Sequence, residues 1–216
     1  MSTKPDKKDH IIAAAEKLFA LRGYDSTSIR DICQEAEVNV AMVNYYFGSK
    51  DGMFREMVEQ KASFMRGKLE ALVADKTITP IRKMEIAIEH QVNRMFQHKP
   101  FTMVVIREMS KDSENSIRNL LQEIFLPNMK LLRSIIKQGI RSREFRKVDV
   151  ELTIATIIGA IWNIISTGDI MLSGLGKSQS SVSDPGQLKK RLIKHLHQLI
   201  RNHLLTEAHG IHALAK

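Results

Sequence analysis

Helical periodicity runs through almost all of this 216-residue chain and is the feature that most restricts its fold. Apolar residues recur three and four positions apart in one segment after another, as in Ile11, Ala15 and Leu18. That spacing places them on one face of an α-helix. No stretch of the sequence alternates apolar and polar residues over the length of a strand, and there is no internal repeat. The sequence therefore predicts an all-α fold.

Capping residues and prolines divide the periodic pattern into separate helices. Either Thr27 or Ser28 is suited to cap a short helix that starts near residue 29. Thr79-Pro80 and Asp184-Pro185 each combine an N-cap with a proline in the first helical turn. The predicted helices of the first half cover residues 11–23, 29–36 and 39–47, then a long segment that Ser49 caps and that extends beyond Leu72, then residues 80 to before Pro100, and 101–109. In the second half they cover a segment that starts at Ser113 or Ser116 and ends at 143, then 148–172 and 185–206. A kink is expected at Pro127.

The composition is that of an ordinary globular protein, with 43% hydrophobic and 26% charged residues. The single cysteine, Cys33, excludes an internal disulfide framework and a multi-cysteine zinc site. We expect neither a metal nor a cofactor. The most apolar stretch, Ile154–Ile165, falls short of the roughly 20 residues of a membrane span, and the polar N-terminus lacks a signal peptide. We therefore expect a cytoplasmic protein.

The positive charge of the chain is unevenly distributed. The formal net charge is +9, yet residues 1–50 contain seven Lys or Arg and seven Asp or Glu. The surplus lies in residues 117–216, which contain fifteen basic and seven acidic residues. A basic chain commonly binds a polyanion, but here the overall charge does not show where nucleic acid would bind.

A helix-turn-helix candidate lies in the first quarter of the chain. Two short predicted helices meet at a tight connection near residues 35–38, and in this motif the second helix enters the major groove of DNA. The surrounding sequence, residues 11–54, resembles the N-terminal domain of TetR-family transcriptional regulators. The resemblance is carried by the Ala-rich first helix, Leu18-Phe19-Ala20, Gly23-Tyr24, Thr27-Ser28, Ile32, Ala36, Val38, and the signature from Tyr46-Phe47 to Lys50. One departure is Glu37, which stands where the family usually has glycine.

The resemblance implies a two-domain organisation and a function. Residues 1–54 would form the DNA-binding domain, and residues 55–216 a ligand-binding and dimerisation domain. The family fold implies a homodimer in which the last two long helices, about 148–172 and 185–206, pair with those of the partner. We expect a repressor that a small molecule releases from a pseudo-palindromic operator. The sequence agrees, because the 148–172 helix is apolar on nearly every side and carries Ala155 and Gly159 four residues apart.

Ten residues are predicted to contact DNA. Hydroxyl groups, amides and a lysine near the helix ends suit phosphates, whereas side chains along the second helix suit base edges. The phosphate candidates are Thr27, Ser28, Tyr46 and Lys50, and the base-edge candidates are Asn39, Val40, Ala41, Met42, Asn44 and Tyr45. Asn39 is equally suited to be a helix N-cap, and Tyr46 to pack in the interior.

A ligand site is expected among the middle helices of the larger domain. Its candidates are apolar side chains with one polar group: Met84, Ile88, Met95, Phe96, Met103, Phe125, Trp162 and Asn163. The same apolar spacing also fits simple core packing. Arg107 and Glu108 end an apolar run and either fix a charged ligand or lie on a solvent-exposed helix face.

Two other classes of function were weighed against a DNA-binding regulator. An enzyme is disfavoured, because the sequence contains neither Gly-x-Ser-x-Gly nor His-Glu-x-x-His. The alternative is a helical ligand-binding or adaptor protein with a lost or minor DNA function. The intact Thr27-Ser28 pair and the Tyr46-to-Lys50 signature argue against that alternative.

Overall fold

The computed structural model describes residues 7–111, 116–174 and 184–206. Within these ranges the chain is helical, and an isolated antiparallel bridge joins Phe145 and Leu205. The helices are α1 (Lys7–Arg22), α2 (Ile29–Glu35), α3 (Val40–Phe47), α4 (Lys50–Ala74), α5 (Pro80–Gln97), α6 (Lys99–Met109), α7 (Ser116–Arg141), α8 (Val150–Gly174) and α9 (Pro185–Leu204). The predicted all-α class is confirmed. The alternative start of α7 at Ser113 lies outside the described residues, as do residues 175–183, which separate the last two helices.

Helices α2, α4 and α9 begin at the capping side chains that the sequence predicted. Ser28 is the N-cap of α2, and its hydroxyl accepts a hydrogen bond from the Asp31 N–H at 3.1 Å. The Ser49 hydroxyl accepts from the Gly52 N–H at 2.9 Å at the start of α4. Asp184 caps α9. These boundaries are therefore decided by residues adjacent to each helix and depend little on distant packing.

Prolines have two different effects on the chain. Pro100 lies in the first turn of α6, so α5 ends at Gln97 and a new helix begins, as predicted. Pro127 lies inside α7, which continues on both sides of it. A proline in the first turn removes an N–H that has no helical partner, whereas an interior proline removes a bond that the helix would make.

The described chain divides into two compact units. Unit 1 comprises Met1–Ser63 and His98–Phe125, and unit 2 comprises Phe64–Gln97 and Leu126–Lys216. This packing division differs from the predicted boundary after residue 54, because α6 packs against α1 and so belongs to unit 1. Helices α4 and α7 each contribute residues to both units.

The core of unit 1 is built around aromatic rings. Phe54 of α4 packs against Phe19, Tyr24 and Phe101, with ring centroids 5.8, 4.9 and 6.2 Å apart. Phe19 and Phe54 are fully buried. Such aromatic pairs add to the stabilisation that burial alone provides, so this cluster holds α1, α4 and α6 together.

The core of unit 2 brings α5 against α8 and α9. The buried row of α9 is Leu192, Leu196, Ile200 and Leu204. One side of α8 is also buried, through Ile154, Ile157, Ile161 and Ile165. These two rows enclose the apolar face of α5.

The loop after α7 connects the ends of two other helices of unit 2. The Glu144 carboxylate accepts the Ile81 N–H at 3.0 Å, at the start of α5. The Arg146 guanidinium donates to the Asn202 and Leu205 carbonyls at 3.0 and 2.8 Å, at the end of α9. An anion at a helix N-terminus and a cation at a helix C-terminus are both favourable, so this loop stabilises α5 and α9 together.

Helix α8 is more apolar than the sequence analysis allowed. Val150–Gly168 is long and apolar enough to cross a membrane by length and composition, and 33% of that segment is buried within the protein. The core helix of a soluble protein passes the same test. The stretch Ile154–Ile165 is therefore the central part of a longer apolar segment.

Replacing Glu37 with glycine should stabilise the protein. Glu37 has a φ of 50° in the turn between α2 and α3 and is exposed, and a residue with a Cβ is strained in this region. We expect E37G to raise the free energy of unfolding by about 1 kcal/mol, after the greater entropy of glycine in the unfolded chain is subtracted. Urea denaturation measures the change.

The matched control is the same substitution at Gln34, an exposed residue within α2. Glycine inside a helix costs about 0.5–1 kcal/mol, so Q34G should be less stable than the native protein. Destabilisation of both variants to a similar extent would contradict the strain assigned to Glu37.

Candidate nucleic-acid interface

The second helix of the predicted motif, α3, is held by one buried residue and two caps. Val43 is fully buried in the core of unit 1. The Asn39 side chain accepts the Met42 N–H at 2.8 Å, so Asn39 is an N-cap, as one of its two predicted roles required. Gly48, with a φ of 71°, ends the helix. One face of α3 is therefore fixed against the core.

The opposite face of α3 presents side chains to solvent. Val40, Ala41, Asn44 and Tyr45 are exposed, and the exposed fractions of Val40 and Tyr45 are 41% and 85%. Large apolar and aromatic side chains are usually more buried than this. Asn39, at the start of the helix, is exposed as well. Five of the six base-edge candidates are therefore accessible on this side of α3.

Met42, Tyr46 and Phe47, the remaining three side chains of α3, are only partly accessible. Met42 and Tyr46 are half-buried and pack against the core of unit 1. The rings of Tyr45 and Tyr46 lie edge to face, with centroids 5.2 Å apart. Tyr46 thus combines the predicted packing role with a position beside the exposed Tyr45.

The Thr27 and Ser28 hydroxyls, both predicted to contact phosphate, make hydrogen bonds within the protein. The Thr27 side chain is buried, and its hydroxyl donates to the Gly23 carbonyl at 2.8 Å. The Ser28 N–H and hydroxyl both donate to the Asp31 carboxylate, at 2.8 and 2.5 Å. These hydrogen bonds, that of the hydroxyl first, lower the pKa of Asp31. The sequence showed the right residue types for a phosphate site, but the local backbone and Asp31 use their donors.

Lys50 points towards the protein backbone. Its ammonium donates to the Tyr24 and Thr27 carbonyls, both at 3.1 Å, and lies 4.3 Å from the centroid of the Tyr24 ring. The Tyr24 hydroxyl donates to the Asp51 carboxylate. Burial, followed by this hydrogen bond, raises the pKa of Tyr24 above its ordinary value. We call Tyr24, Lys50 and Asp51 the Tyr24 clamp, and sequence reasoning missed it.

The Tyr24 clamp ties the α1–α2 loop to the start of α4, and a second contact holds the same loop from α6. The Lys111 ammonium binds Asp25 at 2.5 Å and Glu108 at 2.6 Å. Glu108 is buried, so the expected exposed position on the α6 face is wrong for Glu108 and correct for Arg107. Its Oε1 atom has no hydrogen-bond partner among the described residues.

The acidic residues of α2 are paired with cations of α1. Lys17 contacts Glu35 at 2.5 Å, and Arg22 contacts Asp31 at 3.6 Å. Exposed pairs of this kind stabilise a protein little, but they reduce the negative charge near α3.

The predicted ligand residues are divided between the two units. Met103 and Phe125 lie in unit 1, where Phe125 packs against the core. The other six lie in unit 2: Met84 and Ile88 are buried, Met95, Phe96 and Trp162 are half-buried, and Asn163 is exposed. The Trp162 indole nitrogen is buried without a hydrogen-bond partner among the described residues. Their role in ligand binding stays a prediction.

Two family models together match most of the chain. The model described as "Bacterial regulatory proteins, tetR family" matches residues 11–57. The model described as "YsiA-like protein, C-terminal region" matches residues 54–173, more than half of the chain. The chain belongs to the TetR family. The predicted family is confirmed, and the two models meet close to the predicted domain boundary.

Similar proteins and structures agree with the TetR family. The probable transcriptional regulator YttP of Bacillus subtilis is 28% identical over 143 residues, which are 66% of this chain and 69% of YttP. The structure of FadR from B. subtilis, in complex with stearoyl-CoA, has a TM-score of 0.66 and 21% identity, over 86% of this chain and 97% of FadR. The structure of the ketosteroid regulator KstR2 of Mycobacterium tuberculosis has a TM-score of 0.69 and 18% identity, over 95% and 98%.

The function follows from this membership. The protein is a DNA-binding transcriptional regulator of the TetR family. Its family is one of regulators and not of enzymes. Regulators of the family bind DNA operators and small molecules and act as dimers.

Two substitutions should separate a DNA contact from a structural role. Tyr45→Ala should weaken operator binding about ten- to hundredfold, because an exposed side chain that is predicted to contact DNA is removed. It should change the free energy of unfolding by less than about 0.5 kcal/mol. Lys50→Ala should weaken operator binding and also lower the free energy of unfolding by about 2 kcal/mol, because it breaks charged hydrogen bonds. Fluorescence anisotropy and urea denaturation give the two quantities.

The stability of the Lys50 variant decides between its two roles. A K50A protein that loses DNA affinity with unchanged stability would mean that Lys50 contacts phosphate directly. That result would restore the role predicted from the sequence and contradict the Tyr24 clamp.

Proposed function

We propose that the protein is a homodimer that reads a pseudo-palindromic operator through α3 and leaves it when an apolar small molecule binds unit 2. The proposal rests on the exposed face of α3, which lies opposite the buried Val43. Asn44 suits adenine, and Val40 and Ala41 suit thymine methyl groups. Because Lys50 and Thr27 are used internally, we assign base contact to Val40, Ala41, Asn44 and Tyr45 first. The target is chromosomal DNA, so we assign the protein to the cytoplasm.

The proposed dimer interface is formed by α8 and α9. We call Leu152, Ala155, Gly159, Asn163 and Ile170 the open face of α8, since all five are exposed and recur at helical spacing. This face is opposite the buried isoleucine row. Leu152 and Ile170 are 66% and 72% exposed, and small residues lie between them. Such a face allows close approach of a partner helix, and two-fold pairing matches a pseudo-palindrome.

The effector class to test first comes from the similar proteins. FadR of B. subtilis has been crystallised with stearoyl-CoA, and KstR2 is a ketosteroid regulator. Stearoyl-CoA carries a long apolar acyl chain, and a ketosteroid carries apolar fused rings. Buried and half-buried apolar side chains of α5, including Met84, Ile88 and Met95, suit a ligand of this kind.

Selection of bound duplexes from a random DNA library tests the operator proposal. We expect enrichment of a pseudo-palindrome, because two α3 helices related by a two-fold axis read inverted half-sites. The Tyr45→Ala variant is the control and should enrich the same sequence poorly. A folded dimer that enriches no sequence at low salt would favour the ligand-binding or adaptor function instead.

Gly159→Leu should dissociate the dimer without unfolding the protomer. A Cβ atom at Gly159 meets no atom within 4 Å, so a larger side chain fits the isolated protomer but would obstruct a partner helix. Analytical ultracentrifugation should show a monomer at concentrations where the native protein is dimeric, and operator affinity should fall with it.

Gly67→Leu is the matched control. Gly67 is also an exposed residue inside a helix, and a Cβ atom there also meets no atom within 4 Å. Both substitutions raise helix propensity equally. If both variants remained dimeric, the open face of α8 would not be the interface. If G67L alone became monomeric, the interface would include α4.

A further inference from the structure

We propose that the effector carries an oxyanion, a carboxylate or a phosphate attached to an apolar group, and that Arg94, Lys68 and Phe64 of unit 2 bind that end of it. The inference rests on the proposed function, because it concerns the ligand that releases the operator. We call these three residues the Phe64 platform.

The geometry of the Phe64 platform brings two cations to one aromatic ring. The Arg94 guanidinium of α5 lies 5.7 Å from the centroid of the Phe64 ring. The Lys68 ammonium, one turn along α4 from Phe64, also lies 5.7 Å from that centroid. Both distances are within the range of cation–π contact. Two positive charges therefore converge on a single ring.

Neither cation has a carboxylate partner among the described residues. Other arginines of the same unit do: Arg82 pairs with Glu85 and Glu89, Arg133 with Glu151, and Arg201 with Glu85. Arg94 is half-buried, and burial lowers its pKa with no acidic group acting against that effect. An arginine remains charged in proteins. The positive charge of the half-buried Arg94 is therefore not neutralised by an acidic side chain among the described residues.

The exposure of Phe64 is a second, independent observation. Its side chain is 64% exposed at the surface of α4, although phenylalanine is among the residues most often buried. An exposed aromatic ring beside unpaired cations offers an apolar surface and a positive charge at the same place. The molecule that satisfies both is amphipathic and anionic.

The identity of arginine narrows the anion further. A guanidinium presents a planar fork of N–H donors that binds two oxygens of a carboxylate or phosphate at once. The Lys68 ammonium adds a second positive charge from the neighbouring helix. A neutral alcohol or hydrocarbon would leave both cations as they are, so the platform selects for the charged end of the ligand.

Calorimetric titration of the full-length protein with four probes tests the inference. Dodecanoate carries a carboxylate, dodecanoyl-CoA carries phosphates, coenzyme A carries phosphates without the chain, and 1-dodecanol carries the chain without charge. We expect one of the two anionic long-chain probes to bind and release the operator. Arg94→Gln should weaken that binding about tenfold or more, because a charged, forked hydrogen bond is lost. The affinity for 1-dodecanol should be unchanged.

Three comparisons keep the test specific. Arg141→Gln removes the same charge from an exposed position of the same unit and should not alter probe binding. Arg94→Lys keeps the charge but loses the fork, so it should bind more weakly than the native protein and more tightly than R94Q. Without ligand, the melting temperature of R94Q should fall only slightly, because the guanidinium loses its contact with the Phe64 ring but has no carboxylate partner to lose.

Several outcomes would overturn the inference while leaving the proposed function intact. They are equal binding of the anionic probe to R94Q and native protein, binding of 1-dodecanol alone, and binding of neither long-chain anion at millimolar concentration. Weaker operator binding by R94Q with unchanged probe binding would assign the platform to DNA phosphates instead. By contrast, failure of the native protein to enrich an operator would contradict the proposed function itself.

Discussion

The hydrogen bonds from the Lys50 ammonium to the carbonyls of Tyr24 and Thr27 are the contacts on which the proposed DNA-binding face of α3 depends. The α1–α2 loop has no regular structure, and its carbonyls need donors. Lys50 supplies two of these hydrogen bonds from the first residue of α4. With the Tyr24 ring beside it and Asp51 on the Tyr24 hydroxyl, this lysine links the loop that precedes α2 to the start of α4. The position of α3 follows from that of α2.

Much of the fold could be predicted because helix periodicity and caps are local properties of the sequence. Ser28, Ser49 and Asp184 cap the helices that their neighbours were expected to begin. The directions of side chains at the site could not be predicted in the same way. Thr27 and Lys50 are suitable for phosphate by residue type, yet the first is buried and the second points to the backbone. Only the tertiary structure shows which acceptor each donor group binds.

Glu108 shows the same limit inside a helix. Its place at the end of an apolar run on α6 suggested an exposed face, but α6 packs against α1, which buries that side of the helix. The carboxylate is then retained by Lys111, three residues later. A buried carboxylate needs a charged partner, so the pair Glu108–Lys111 was a signal available in the sequence. The connection to Asp25 was not, because it joins residues far apart in the chain.

The balanced charge of the first 50 residues is seen in the structure as ion pairs between α1 and α2. Glu35 and Asp31 of α2 are matched by Lys17 and Arg22 of α1, so the acidic residues do not present a uniform negative surface beside α3. A head without excess positive charge gains little from long-range attraction to DNA, which supplies most of non-specific affinity. On the proposed function, its affinity comes from short-range contacts of the exposed α3 face, which includes Asn44 and Tyr45. Such contacts depend on the base sequence, and this favours a regulator that discriminates strongly between its operator and other DNA.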